Sequence, residues 1–519
     1  MNPVQLSIFA NRLSGVCDEM GALLKRSAFS PNIKDRLDFS CAVFDGAGRL
    51  CAQAAHIPVH LGSMAYAMEA VVADRAWYPD DLLVLNDPYL GGTHLPDVTV
   101  VAPVFASGRH APVAFTVTRA HHANIGAASP GSMPVSRTLE EEGLVIAPSW
   151  LYRNGEWNRP LARQLAGEAD DDGPMPWSSP RFGDFVAQAS ACRAGARRLD
   201  ELLVERGADA FEQGLTALND YGEQRARALI REIPEGSYSF RDSMDDDGQG
   251  RLDIPVVVTL TVGEETVDLD FTGTGEQVEG NINCPLSVAA AAAYYCFRCL
   301  MPDDVPACDG LFRPIALSAP EGSLINARRP AAVAAGNVEP SSRIVDVVLG
   351  ALAGALPQRI PAASQGTMNN LALGATGAGG WDYYETMGGG MGACAGSDGL
   401  SGVQSHMTNT LNTPIESVES HYPLRVLRYG LRPGSGGRGR RTGGEGLVRE
   451  LEFLAPAQFT LLTERRHHAP RGLAGGGDGA PGRNRLNGEL LPPKCTGQAQ
   501  PGDRLCVESP GGGGHGGTE

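Results

Sequence analysis

Three of the chain's eleven histidines, His94, His121 and His122, fall within 29 positions of one another, and Asp97 stands three residues after the first. Imidazole nitrogens and a carboxylate suit a catalytic divalent ion, and three protein ligands leave a position open for water or substrate. Such a donor set fits zinc, manganese or iron. A purely structural cluster of polar loop residues is the competing reading. The carriers are two loop-like stretches, Asn86 to Asp97 and Arg119 to Gly126. Between them, Val98 to Val104 and Val113 to Thr118 are apolar, β-branched runs around a turn. This pattern predicts a β-hairpin. A hairpin joins its open ends, so His94 and Asp97 can face His121 or His122. Neighbours on a strand point to opposite faces. One of the two adjacent histidines is therefore expected to bind the metal and the other to serve substrate, proton transfer or a supporting carboxylate.

Other polar residues belong to the same inventory. Asp38 sits at the entry of a predicted hairpin, Cys41 to Gln53, turning at Asp45-Gly46. His56 and His60 flank Ile57-Pro58-Val59, where the proline argues for an extended segment feeding a helix from about Ser63. Ser132 lies in the loop Pro130-Gly131-Ser132-Met133-Pro134, with no Gly-x-Ser-x-Gly elbow around it. Glu142 closes the acidic triplet Glu140-Glu141-Glu142, which by itself reads as a solvated face or helix end.

The string Asn86-Asp-Pro-Tyr-x-Gly-Gly-Thr-His-Leu-Pro-Asp97, followed by Arg119-Ala-His-His122, resembles the signature of the hydantoinase B/oxoprolinase family. Asp38-Phe-Ser-Cys-Ala42, His56 to Met64, Pro130 to Pro134, Gly280-Asn-Ile-Asn283, Thr367-Met-Asn-Asn370 and Pro510 to Gly514 extend the likeness over nearly the whole chain. The resemblance implies the B (β) subunit of an ATP-dependent cyclic-amide hydrolase acting on hydantoins, 5-oxoproline or lactams. Its partner would be a hydantoinase A-type subunit with an actin-like ATP site, carrying ATP and Mg and phosphorylating the amide oxygen. The chain itself would hydrolyse the activated ring with metal-bound water, in an α2β2-type hetero-oligomer. It also implies His94, Asp97 and His121 as ligands, Asp38 as a fourth, and His122 and Asp97 as catalytic groups. His60, Glu142 and Ser132 would line the substrate. Asn124 stands where an Asp is expected in many relatives. The carboxylase branch of the family, which joins bicarbonate carbon to a ketone, is the first alternative, and a non-catalytic scaffold subunit is the second.

Composition excludes several classes. A net charge of −17 argues against nucleic acid, which requires a cationic face. The only lysines are Lys25, Lys34 and Lys494, none preceded by glycine, so no Walker-type phosphate loop exists in this chain. Eleven scattered cysteines read as reduced thiols, Cys296-Phe-Arg-Cys299 included, and a cytoplasmic protein is expected. No signal pattern opens the chain, and the longest apolar run, Leu286 to Phe297, is too short to span a bilayer.

Periodicity supplies the elements that must position the candidates. Leu6, Phe9, Leu13, Val16, Met20 and Leu23 mark one helix face. Leu82 to Leu85 reads as a buried strand leading into Asn86, and Phe182 to Arg231 as helical. Strands follow at Val256 to Val262 and Val267 to Phe271, then an Ala-rich helix from Pro285 and another capped by Ser341 or Ser342. Gly434-Ser-Gly-Gly-Arg-Gly439 matches a dinucleotide fingerprint in letters only, because Leu447 to Phe453 after it alternates like a strand. Glu464 to His468 reads as an anion holder or a charged strand edge. The fold class expected is α+β, multi-layered, with interlocked subdomains. Residues 1–180 would form an N-terminal α/β metal-site domain, 181–235 a helical segment, 236–370 an α+β middle domain, and 371–519 a Gly-rich, β-rich C-terminal domain.

Overall fold

The computed structural model describes residues 1–54, 57–127, 129–168, 172–376 and 380–517, with the side chain of Leu61 also left aside. His56 and the acidic pair Asp170-Asp171 lie outside the described residues.

The N-terminal part is a three-layer unit. Helix α1 (Pro3–Ser27) opens with a reciprocal capping box between Asn2 and Gln5. A single turn, α2 (Pro31–Lys34), leads to strands β1 (Phe39–Asp45) and β2 (Leu50–Gln53). Then come α3 (Pro58–Val72), β3 (Leu82–Leu85), β4 (Asp97–Val104), β5 (Ala114–His121), β6 (Ser149–Arg153) and β7 (Glu156–Trp157). They form one sheet in the order β2-β1-β5-β4-β3-β6-β7. After the short α4 (Arg159–Ala166), the long helices α5 (Pro180–Arg206) and α6 (Ala208–Ile230) are separated at Gly207, whose φ of +78° favours glycine.

Every residue of β4 and β5 is buried, because both faces of the sheet are covered. Val98, Val100 and Ala120 pack with α1 and α5, whereas Val101, Phe115 and Val117 pack with Met64 and Met68 of α3. This two-residue alternation decides which side chains meet at the site. The helix around His60 begins earlier than the sequence suggested. Pro58 occupies its first turn, where the missing N–H has no intrahelical partner to lose.

A second sheet follows: β8 (Gly236–Asp246), β9 (Leu252–Val262), β10 (Val267–Asp270) and β11 (Ile315–Ser318), in the order β11-β10-β9-β8. Helices α7 (Leu286–Arg298) and α8 (Glu339–Ala355) lie between this sheet and α3. The predicted serine caps are not caps. α8 starts at Glu339, and the hydroxyls of Ser341 and Ser342 donate back to the carbonyls of Asn337 (2.7 Å) and Val338 (3.2 Å).

The C-terminal part contains β12 (Asn370–Ala375), β13 (Trp381–Glu385), α9 (Ile415–His421), β14 (Leu424–Arg432), β15 (Gly446–Phe453), β16 (Ala457–Leu462), β17 (Arg483–Leu486), β18 (Glu489–Leu490), β19 (Lys494–Ala499) and β20 (Arg504–Glu508). They build two antiparallel sheets, β13-β12-β16-β19 and β14-β15-β20-β17-β18. Glycine loops cross beside them at backbone contact: a Cβ on Gly390 would stand 2.0 Å from the Gly444 carbonyl oxygen. The Gly434–Gly439 stretch opens no helix, consistent with a fingerprint matched in letters only. Glu464 and Arg465 are fully buried rather than on a charged edge, because they join an internal ion-pair network. The whole is a multi-domain α+β fold of helices and several antiparallel sheets.

Candidate metal centre

Strand register brings the centre together. Asp97 opens β4 directly opposite His121, which ends β5. His94 lies in the loop just before β4, and the backbone N–H of His121 donates to the Asp38 carbonyl at 3.0 Å. Arg119 and His121 share the α3 side of the sheet with Thr99, while His122 falls on the α5 side. Accordingly Arg119 reaches Thr99 Oγ1 (2.8 Å) and Ser63 Oγ of α3 (2.7 Å). The same parity places His60, from the first turn of α3, against Asp97.

Asp97 is completely buried, and its two oxygens differ. Oδ2 accepts from Thr93 Oγ1 (2.6 Å) and Asn337 Nδ2 (3.0 Å), and His60 Nε2 lies 3.1 Å away. Among the described residues Oδ1 has no hydrogen-bond donor, although His94 Nε2 is 3.1 Å and His121 Nδ1 3.4 Å from it. The His94 tautomer explains this. Its Nδ1 lies 2.9 Å from the Ala334 carbonyl, which can only accept, so Nδ1 carries the proton. A neutral His94 then turns a bare Nε2 lone pair toward a bare carboxylate oxygen. His121 Nε2 is likewise buried without a partner among the described residues.

Ligand atoms of His94, Asp97 and His121 lie within 4.8 Å of one another. Unsatisfied buried acceptors are costly, and the bare pair His94 Nε2 and Asp97 Oδ1 is answered either by a cation between them or by a proton on His94, which Asp97 favours. The donor set therefore fits a divalent cation. A cavity of about 20 Å³, with room for about one ion or water, is lined by His94 and His121 together with Asp38, His60, Asn337 and Tyr384.

Burial pushes Asp97 up, but His60 and His94 outweigh it and hold the carboxyl well below the usual range. Burial pushes His94 down, yet Asp97 leaves it net raised. For His121 burial prevails and the imidazole is lowered. Beneath His121, the Tyr384 ring stacks at 4.7 Å and 2°. Arg36 sits over the same tyrosine ring at 4.8 Å and lies 3.8 Å from Asp38 Oδ2.

The remaining sequence candidates are distributed around the centre. The structure does not bring His122 to it: Nε2 is 2.9 Å from Gln188 Oε1 of α5, and the ring packs against Phe185. Ser132 is also elsewhere, its hydroxyl accepting from the Ile125 N–H at 2.9 Å. Glu142 stands one layer behind His94. Its Oε1 accepts from the N–H groups of Val333 and Ala334 and from Ser136, all at 2.8 Å. Burial pushes this carboxyl up to about 8 against those three donors. Asn124 donates to Asp382 Oδ2 at 2.9 Å. Asn337 and Tyr384 escape sequence reasoning altogether. Each lies more than 200 residues from the histidine motif, with no periodic or motif signal of its own.

Comparison with known proteins follows the same whole-chain pattern. The profile described as hydantoinase B/oxoprolinase matches residues 2–518. The 5-oxoprolinase 1 of Arabidopsis thaliana is 38% identical, the alignment covering 99% of this chain and 42% of that protein. The chain thus spans about two fifths of the length of the 5-oxoprolinases it matches. A protein of Pseudomonas sp. (strain NS671), named for the B-type subunit of a D-/L-hydantoinase, is 32% identical, with 99% and 90% covered. The crystal structure of ATP-dependent caprolactamase from Pseudomonas jessenii superposes with a TM-score of 0.90 at 28% identity, over 100% of this chain and 91% of that one. A nucleotide-free acetone carboxylase structure shares the fold, with a TM-score of 0.86 at 18% identity over 99% and 76%.

Proposed function

The chain belongs to the hydantoinase B/oxoprolinase family, and from that premise we propose that it is the B-type subunit of an ATP-dependent hydrolase of cyclic amides. The observation that carries the reading is the convergence of buried ligand atoms of His94, Asp97 and His121, with His94 Nε2 and Asp97 Oδ1 unpartnered. Zinc, manganese or iron would be held by these residues, with Asp38 beside them in the cavity wall. When bound, such an ion supplies a Lewis acid that brings the pKa of water to about 7.

The chain's own residues prepare that site. Thr93, Asn337 and His60 occupy Asp97 Oδ2, so Oδ1 is the oxygen left free to ligate. Ala334 fixes the His94 tautomer with Nε2 bare. Tyr384 holds the His121 ring plane, and its own hydroxyl is tied to Asn370 Oδ1 at 2.6 Å. His60 keeps its Nε2 proton on Asp97, while Ser40 Oγ stands 3.4 Å from its other nitrogen. These partners orient the ligands and exclude bulk water.

An unstrained amide is a poor electrophile, and the chain has no phosphate loop to activate one. Activation therefore belongs to an ATP-binding A-type partner that phosphorylates the amide oxygen, and ring opening to this chain. The test is to purify the chain with its ATP-binding partner, measure bound metal, and supply ATP with hydantoin, 5-oxoproline or a lactam. The expected result is about one divalent ion per chain and ATP-dependent ring opening. His94→Ala should abolish both while the complex still assembles. An assembled His94→Ala complex with full turnover would overturn the reading.

A further inference from the structure

A second cavity, of about 530 Å³, stands apart from the metal centre, and among the described residues the two share no part of their walls. Its wall comes from the second half of α3, residues 88–91, Pro148, the start of α7 and Asn326. The volume falls in the range of roughly 300–1,000 Å³ usual for small-molecule sites. Val71, Leu90, Pro148 and Leu286 make much of the wall apolar. Tyr66 and Leu90 keep 44% and 49% of their surface exposed, so the cavity is open to solvent.

A single charge stands in this wall. Arg75, just past the end of α3, is the only lining residue that carries one. Its Nε is buried without a hydrogen-bond partner. Its terminal nitrogens keep accessible surface and make no hydrogen bond or ion pair among the described residues. The other polar side chains of the wall are mostly committed. The Tyr89 hydroxyl donates to the Ala331 carbonyl at 2.8 Å, Ser287 Oγ to the Gly92 carbonyl at 3.2 Å, and Asn326 Nδ2 to the Ala319 carbonyl at 3.0 Å. In a chain with 60 acidic side chains against 43 basic ones, a half-buried guanidinium without a counter-ion is conspicuous. A desolvated cation left unpaired is costly.

The chemistry of the wall selects the anion that would answer it. A guanidinium presents a planar fork of donors that meets both oxygens of a carboxylate at once. A phosphate dianion would bring a second charge with no second cation to meet it. A zwitterionic amino acid would bring an ammonium, and the wall has no Asp or Glu to receive one. We propose that this cavity binds a small monocarboxylate with an apolar body, Arg75 holding the carboxylate while Val71, Leu90 and Leu286 cover the body. The site is separate from the histidine centre, so its occupancy requires neither metal nor ATP. The occupant rests against residues 88–91, a few positions before His94 and Asp97 in the same loop.

The test uses the full chain as purified, first alone and then with its ATP-binding partner. The probes are hexanoate, hexanamide and 6-aminohexanoate, and binding is followed by ligand-observed NMR. Wild type should bind hexanoate about tenfold or more tightly than either of the others, the worth of a charge-assisted pair. Arg75→Met, which keeps a long apolar stem and removes the charge, should bring hexanoate down to the level of hexanamide. Leu90→Asp, at an exposed position of the wall, should weaken hexanoate by a similar factor while leaving hexanamide nearly unchanged. Equal binding of the three probes to wild type, no binding of hexanoate, or an undiminished preference in both variants would overturn the proposal. Loss of hexanoate binding when the partner is added would also overturn it, assigning the cavity to that partner's docking surface. ATP-dependent ring opening, measured separately, would in each case leave the hydrolase reading standing.

Discussion

At the scale of single residues, the centre depends on groups that never touch the cation. Asn337 holds Asp97 Oδ2 at 3.0 Å and leaves Oδ1 for ligation. Asn337→Ala should therefore lower metal affinity by about 10–100-fold, the usual cost of losing such a support. Competition with a chelator measures it, and an unchanged affinity would remove Asn337 from the account. Glu142 behaves differently. Burial holds its carboxyl up to about 8 in the folded chain, whereas an unfolded glutamate titrates near ~4.3. Between those values the folded state retains a proton that the unfolded chain has released, so stability falls as pH rises through the window. Glu142→Gln should flatten that fall. Thermal unfolding of both proteins at about pH 5 and about pH 8 gives the comparison. Parallel slopes would mean that Glu142 is ionised when folded.

At the scale of elements, α3 must lie close to both the sheet and α7 to put His60 on Asp97. Gly62 permits this: a Cβ there would stand 2.6 Å from Ala291 Cα of α7. Backbone cannot yield as a side chain tip does. Gly62→Ala should cost about 1–3 kcal/mol, as overpacking does, and should weaken metal binding by shifting His60. Differential scanning calorimetry with metal analysis reads both effects. A variant with wild-type Tm and full metal content would show that the helices have slack. The hairpin β4–β5 was legible from its β-branched runs, and with it the meeting of Asp97 and His121. The early start of α3 was not, because Pro58 reads as a breaker until its place at the first turn is known.

At the scale of the whole molecule, a buried ionic network ties the second sheet to the C-terminal part. Asp242 of β8 accepts from Arg343 of α8 at 3.0 Å and from Arg465, after β16, at 2.7 Å. Arg343 also reaches Glu464 at 3.1 Å, and Lys494 of β19 pairs with the same carboxylate. Removing one member leaves charges buried without a partner. Asp242→Asn should therefore cost about 3–5 kcal/mol, seen as a lower denaturant midpoint. A midpoint equal to wild type would mean that the network adapts without loss. Glu339 lies in the field of Glu464 and Lys494 and leads from this network toward the centre. Its Oε1 accepts from Asn370 Nδ2 at 3.1 Å, and Asn370 in turn receives the hydroxyl of Tyr384, which stacks on His121.

The sequence alone determined the family signature, the β4–β5 hairpin and the residue types of a metal site. Those features are local, because period-two patterning and fixed spacing act within one stretch of chain. It left open which of two adjacent histidines belongs to the centre, since that depends on which sheet face α3 covers and which α5 covers. It was silent on Asn337 and Tyr384, which arrive from distant elements through packing. Partners of that kind are selected by three-dimensional closure rather than by pattern, so only the tertiary structure could decide them.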